Sequence, residues 1–261
     1  MPPLNAGVRH NETNVRNIFQ SMGLIGMSKD TKPLVPESAT EQQDPPAGDF
    51  SSWLCHARSA LITESGTEVD CGECIACCIS SLLIHIRPEE TRTLGRIRKD
   101  ILVAAPGLPK GHVLLGYDKN GFCPMLINGK CSIYEHRPLT CRNYDCRVFT
   151  AAGITAGGRD RARITERVRR WKFSCPTERD RDEHLAIQAA AKFIQEHAEY
   201  FPGGKIPSNP GQLAILAIKV YDVFLKKDGG PAKTGCASSD IEVANAIVEA
   251  CREFDARMPA L

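Results

Sequence analysis

Apolar residues recur with helical spacing along the second half of the chain, in four successive segments. The faces are Ile164, Val168 and Trp171; Ala186, Ala189, Ala190 and Phe193; Leu213, Leu216, Val220 and Phe224; and Ala244, Ile247, Cys251 and Phe254. Ser239 stands three residues before Glu242, which is the spacing of a capping box at the start of the last segment. The pattern therefore predicts a helical C-terminal region over 151–261.

The hydrophobic pattern before residue 151 is shorter and mixed. It predicts a helix over 50–62, a strand over 79–86, a helix over 87–103, and two strands over 122–127 and 130–134. Asn128-Gly129 separates the last two strands and is a strong hairpin signal. We therefore expect an α+β fold in which a small cysteine-rich metal-binding unit with a β-hairpin packs against several helices.

The first 49 residues have a different composition from the rest. They contain six prolines and no cysteine, and their polar stretch can bury little apolar surface. We predict a disordered leader over 1–49, a cysteine-cluster metal-binding domain over 50–150, and the helical region over 151–261.

Cysteine is the residue type that most changes this picture. Eight of the twelve cysteines lie between residues 71 and 146. They are Cys71, Cys74, Cys77, Cys78, Cys123, Cys131, Cys141 and Cys146. The N-terminus shows no secretory signal, and no stretch approaches the roughly 20 apolar residues that cross a bilayer. We therefore expect a cytoplasmic protein without a membrane segment, in which reduced thiols bind metal rather than form disulfides.

The spacing of the first cysteines favours a metal cluster. Cys71, Cys74 and Cys77 form a C-x2-C-x2-C run, which can offer three sulfurs to one object. Such a run with a distant fourth ligand is typical of [4Fe-4S] sites, whereas structural zinc sites more often pair two C-x2-C knuckles. Cys78 adjoins Cys77, and neighbouring side chains diverge. The eight cysteines thus permit two four-sulfur sites, or one cluster and a redox-active pair.

The hairpin geometry bears on whether Cys123 and Cys131 share a site. A two-residue loop places their thiols on opposite faces of the ribbon, whereas a three-residue loop with a glycine bulge places both on one face. Shared ligation therefore predicts the bulged hairpin.

Other polar residues lie near the cysteines in sequence. Tyr134, Arg137, Arg142 and Tyr144 are expected to surround the ligands, and the alternative for the two arginines is that they form surface salt bridges. Outside the cluster, Cys175 before Pro176 is the candidate for a substitute ligand.

Charge and motifs exclude several function classes. A net charge of +2 offers no electrostatic argument for a nucleic-acid or membrane partner. The basic segment 159–172 is better explained as the solvated face of a helix. Phosphate-binding loops, dinucleotide fingerprints and hydrolase motifs are absent from the sequence. Metal ions are therefore the expected partners, and a protein partner is left open.

Together the cysteine motifs resemble a known family. The run at 71–78, Gly121-Phe122-Cys123-Pro124, and the segment 131–146 are similar to the YkgJ-type cysteine-cluster family, which is described as zinc- or iron-chelating. The resemblance covers about 76 residues and implies chelation by the eight matched cysteines, with an iron-sulfur cluster (4Fe-4S) or zinc as cofactor. Some family members are called iron-sulfur oxidoreductases, and a related cluster occurs in flagellin lysine methylases. An iron-sulfur-dependent oxidoreductase or protein-modifying enzyme is therefore the alternative function, and catalysis is left open.

Overall fold

The computed structural model of the chain describes residues 46–63, 66–67, 69, 73–225 and 239–257. The strands are β1 (Pro46–Asp49), β2 (Ile84–Ile86), β3 (Leu102–Ala104), β4 (Val113–Leu115), β5 (Leu126–Ile127), β6 (Lys130–Cys131) and β7 (Lys172–Ser174). The α-helices are α1 (Phe50–Thr63), α2 (Thr91–Leu94), α3 (Leu139–Arg142), α4 (Arg147–Ala152), α5 (Ala162–Arg170), α6 (Glu178–Glu196), α7 (Pro210–Val220) and α8 (Asp240–Asp255). Short 3-10 helices lie at Cys77–Ile79, Lys99–Ile101, Tyr134–His136, Arg159–Arg161, Ala198–Tyr200, Pro202–Gly204 and Tyr221–Phe224. The predicted α+β class is confirmed.

The described residues fall into two compact units. The cysteine unit lies within Asp70–Arg142, and the helical unit lies within Glu41–Val69 and Asn143–Leu261. The predicted leader lies outside the described residues up to residue 45, and its last four residues form β1. The predicted domain limits 50–150 and 151–261 stay predictions.

A three-stranded antiparallel sheet in the order β2-β4-β3 lies at the centre of the cysteine unit. Leu115 of β4 pairs with Ile84 of β2 and with Leu102 of β3. Since neighbouring residues of a strand face opposite sides, Leu115 and Leu114 enter different apolar clusters. The cluster around Leu115 contains Ile84, Ile86, Ile97 and Ile133, and Cys123, Met125, Cys131 and Cys141 are among the side chains packed against it. Three candidate ligands therefore border the core on this side of the sheet.

The helix predicted over 87–103 is wrong in extent, because α2 is a single turn. The Glu90 carboxylate accepts hydrogen bonds from the Arg87 N–H at 2.9 Å and the Leu139 N–H at 2.6 Å, which fixes a turn at the start of α2. Further on, residues 102–104 pair with β4 and form β3 instead of a helical turn. Sheet pairing thus overrides the helical spacing, although Ile97 is buried as that spacing predicted.

The bulged hairpin is also wrong. Leu126 pairs directly with Cys131, and the loop has two residues, Asn128 and Gly129, with φ of +50° and +72°. Positive φ at both positions is the signature of a type I′ turn. The paired strands do not extend to Cys123, whose carbonyl accepts a turn hydrogen bond from the Leu126 N–H at 2.9 Å. The rule that successive strand residues face opposite sides of the ribbon therefore does not apply to Cys123.

In the helical unit, α6 packs against α1, α4 and α7, and α7 packs against α4 and α8. The α6 residues Ile187, Ala190, Ala191 and Ile194 have no exposed surface. The helices predicted from the four apolar faces are confirmed as α5 to α8. None of the described helices is long and apolar enough to cross a bilayer.

The start of α6 is held by a capping box that also ties it to α1. Thr177 Oγ1 accepts from the Asp180 N–H at 3.1 Å, and the Asp180 carboxylate accepts from the Thr177 N–H at 3.0 Å. The same carboxylate accepts from the Ser51 N–H at 2.8 Å. The hydrogen bonds from Thr177 and Ser51 hold the pKa of Asp180 well below its usual range.

Candidate metal centre

Seven of the eight candidate ligands lie among the described residues, and each is half-buried. Cys71 lies outside the described residues. Six of these candidates belong to the cysteine unit: Cys74, Cys77, Cys78, Cys123, Cys131 and Cys141. Cys146 belongs to the helical unit, where it is the N-cap residue of α4.

The two cysteine-bearing stretches of the cysteine unit meet through backbone hydrogen bonds. The Cys123 N–H donates to the Cys78 carbonyl at 2.7 Å, and the Ser81 N–H donates to the Gly121 carbonyl at 3.0 Å. Gly121 has a φ of +83°, and a Cβ on it would lie 2.4 Å from Ser81 Oγ. Only glycine fits this crossing without a local shift. Backbone hydrogen bonds therefore hold the two stretches next to each other, although they are far apart in sequence.

We call Cys77, Cys123, Cys131 and Cys141 the four-thiol cluster, because the charges of the first three act on Cys141. Burial raises the pKa of Cys141, and the charges of Cys77, Cys123 and Cys131 raise it further. Burial likewise raises the pKa of Cys123 to about 11, with further contributions from Cys131 and Cys77. A hydrogen bond with Cys78 raises the pKa of Cys77, and burial adds to the effect. Cys123, Cys131 and Cys141 also pack against the same apolar cluster of the cysteine unit.

The four-thiol cluster is not a finished metal site. As positioned, no three His, Cys, Asp or Glu side chains in the described part of the chain could hold one metal ion. The raised pKa values of Cys77, Cys123 and Cys141 keep these thiols protonated near neutral pH, and a thiol must lose its proton to become a ligand. The donors nevertheless fit zinc or an iron-sulfur cluster, because all are sulfur, whereas calcium and magnesium select oxygen.

A comparison with protein families agrees with this donor chemistry. Residues 70–170 match the family described as "CxxCxxCC: Putative zinc- or iron-chelating domain". The matched residues make up less than half of the chain. The matched stretch contains all eight candidate cysteines and confirms the resemblance drawn from their spacing. No curated protein and no solved structure matches the chain significantly.

Arg137 is a cation that acts on Cys141 of the four-thiol cluster. Burial raises the pKa of Cys141, and the positive charge of Arg137 opposes that increase. The Arg137 guanidinium lies 3.7 Å from the centroid of the Tyr134 ring, and its Nε donates to the Tyr134 carbonyl at 3.0 Å. Arg142, by contrast, is exposed. Arg137 thus follows the prediction that charged residues surround the ligands, and it would offset part of a thiolate charge.

Cys146 lies in the helical unit, and its surroundings differ from those of the four-thiol cluster. The Trp171 indole Nε1–H donates to its sulfur at 3.1 Å. The preceding residue, Asp145, is buried and accepts hydrogen bonds from Trp53 and Arg147. Asp145 was not predicted from the sequence. The available signal was an acidic residue directly before the last cysteine of the motif and two residues before an arginine.

The cysteines outside the CxxCxxCC motif differ in exposure. Cys55 is exposed, and Cys236 lies outside the described residues. Cys251 lies on α8 with its sulfur 3.7 Å from Asp255 Oδ2, and burial raises its pKa to about 11. Cys175 lies in the helical unit, with its sulfur 4.0 Å from His184 Nδ1.

The helical unit also contains an open pocket of about 480 Å³. Its lining includes Asp49, Trp53, His56, Ser59 and Arg147. This volume lies within the range of small-molecule sites.

Proposed function

We propose that the CxxCxxCC domain chelates iron, as a [4Fe-4S]-type cluster, or zinc through clustered cysteine thiolates. The observation that carries the proposal is the four-thiol cluster, whose members come from separate parts of the chain: Cys77 and Cys131 both act on the pKa of Cys123 and of Cys141, and three of the four thiols pack against one apolar cluster. The backbone hydrogen bond between Cys123 and Cys78 supports it, because it keeps two ligand stretches together.

The first group of ligands in this proposal is Cys77, Cys123, Cys131 and Cys141. Cys78 is hydrogen-bonded to Cys77, and two adjacent side chains diverge too much to bind one ion easily. The remaining candidates, Cys71, Cys74, Cys78 and Cys146, are proposed as ligands on their positions in the motif.

The choice between the two metals follows from the C-x2-C-x2-C run, which favours a cubane cluster over a structural zinc site. A bound cluster would supply electron transfer, and either metal would stabilise the fold. The protein's own residues bury the sulfurs and set the positive charge of Arg137 beside Cys141.

Anaerobic purification followed by metal analysis tests the proposal. If a cluster is bound, we expect a brown protein with absorbance at about 400 nm that contains iron and acid-labile sulfide. If zinc is bound instead, we expect a colourless protein with stoichiometric zinc. A preparation that binds neither metal after reconstitution would contradict the proposal.

A matched pair of substitutions locates the site. Cys141→Ser should lose most of the bound metal, whereas Cys251→Ser should retain it. Both positions are half-buried thiols whose pKa burial raises, so the comparison controls for the loss of a buried sulfur. Equal metal contents in the two folded variants would remove Cys141 from the ligand set, with folding checked by circular dichroism.

A further inference from the structure

A second sulfur-containing site lies in the helical unit. Cys175 precedes α6, and His184 and Gln188 are four residues apart on α6, so they share one helix face. The Cys175 sulfur lies 4.0 Å from His184 Nδ1, and the Gln188 amide nitrogen lies 3.0 Å from His184 Nε2. The imidazole is thus set between a thiol and a side-chain amide.

Aromatic packing fixes the orientation of the His184 ring. The Phe50 ring stacks on it with centroids 4.3 Å apart and planes 21° apart. Phe173 meets it edge-on at 5.8 Å. Cys175 remains half-buried, so a reactant can reach its sulfur. The geometry is that of a nucleophile, a base and a third group that orients the base, with a spacing looser than in a reacting complex.

The charge states of the pair suit general-base chemistry. Burial lowers the pKa of His184, and burial raises the pKa of Cys175, so the pair is a neutral imidazole and a neutral thiol near pH 7. A neutral imidazole can accept a proton as the thiol reacts. This requires the ring proton on Nε2, where the amide oxygen of Gln188 can accept it after rotation of the amide.

We propose that Cys175 is a nucleophile activated by His184 and that it accepts acyl groups from activated esters. The sulfur attacks the acyl carbon while its proton passes to His184 Nδ1. The bond between the acyl carbon and the leaving oxygen then breaks, and His184 returns the proton to that oxygen. Water attacks the resulting thioester with His184 as base, which releases a carboxylic acid and restores the thiol. The net reaction is ester hydrolysis and consumes one water.

The metal-loaded full chain and p-nitrophenyl acetate provide the test. Peptide mass spectrometry would follow acetylation of each cysteine, with exposed Cys55 as the reference for an unassisted thiol in the same sample. We expect Cys175 to be acetylated about 100-fold faster than Cys55 at pH 7, within the range that general-base assistance gives. His184→Phe keeps an aromatic ring against Phe50 but removes the base, and it should lower the rate at Cys175 to that of Cys55.

Gln188→Leu tests the orienting role without touching the base. We expect a several-fold slower acetylation and a shifted midpoint in its pH profile, which a purely structural role would not produce. Acetylation of Cys175 no faster than that of Cys55, or an unchanged rate in folded His184→Phe protein, would overturn the proposal. Removing the metal with a chelator should leave the rate of Cys175 acetylation unchanged. The acetylation experiment and the metal analysis can therefore fail separately.

Discussion

Replacing the buried Asp145 tests how the helical unit holds its arginine. The side chain of Asp145 is 3% exposed and that of Arg147 is 17% exposed. One carboxylate oxygen accepts from Trp53 Nε1 at 2.9 Å and from an Arg147 terminal nitrogen at 2.8 Å, and the other accepts from Arg147 Nε at 2.9 Å. Asp145→Asn would replace one acceptor by an NH₂ donor and remove the charge opposite the guanidinium.

The expected loss of stability follows from burial. Removing one partner of a buried ion pair costs about 3–5 kcal/mol. Asparagine keeps the shape and one oxygen of Asp145, so we expect the lower value, about 3 kcal/mol. Since each kcal/mol lowers Tm by about 2–4 °C in a chain of this size, Tm should fall by about 6–12 °C.

The chain contains a matched control for this experiment. Arg98 donates through Nε and a terminal nitrogen to the two oxygens of Asp100, also two residues away, but these side chains are 78% and 59% exposed. Asp100→Asn should leave Tm unchanged, because water screens an exposed pair. Thermal unfolding followed by far-ultraviolet circular dichroism compares the two variants. Equal shifts in Tm, or an unchanged Tm for Asp145→Asn, would refute the argument that burial sets the strength of the pair.

Three further predictions concern the cysteine unit. Zinc binding at the four-thiol cluster should release about four protons per ion near pH 7, because neutral thiols must ionise. Calorimetry in two buffers of different ionisation enthalpy measures this, and release near zero would exclude thiolate ligation. The metal-free protein should lose stability as pH rises from 9 to 11, because burial raises the pKa of Cys123 from 9.0 to about 11 and the unfolded thiol ionises first. An unfolding midpoint that stays constant across this window in urea would contradict it. Gly129→Ala should destabilise the hairpin by about 1–2 kcal/mol, because its φ is +72°. Asn128→Gly, at φ +50°, should not destabilise it, and equal urea midpoints for the two variants would count against this explanation.

The helical unit could largely be predicted because local signals and tertiary packing agree there. The capping box of Ser239 and Glu242 marks the start of α8, and the Asn209 side chain caps α7. Apolar spacing then identifies the buried face of each helix, since a side chain's place on a helix depends only on its neighbours in sequence. The same local rule applies to the start of α6 at Thr177.

The cysteine unit was harder to predict because its structure depends on non-local pairing. The helical pattern over 87–103 gives way to β3, whose partner β4 lies further along the chain. The two-residue loop sets the register of the hairpin. Cys123 is not placed on the face opposite Cys131 by this register, because it lies in a turn outside the ribbon. Such choices depend on which strands meet, and periodicity within one segment does not contain that information.

The sequence by itself determined the donor chemistry. The preference for zinc and iron is a property of the cysteine sulfur, and the spacing of the cysteines is read directly from the motif. Only the tertiary structure decided that the backbone of Cys123 is hydrogen-bonded to that of Cys78, and that Cys175 faces His184. The physical reason is that most of these neighbours are brought together by backbone crossings, such as the glycine at 121, that join segments distant in the chain.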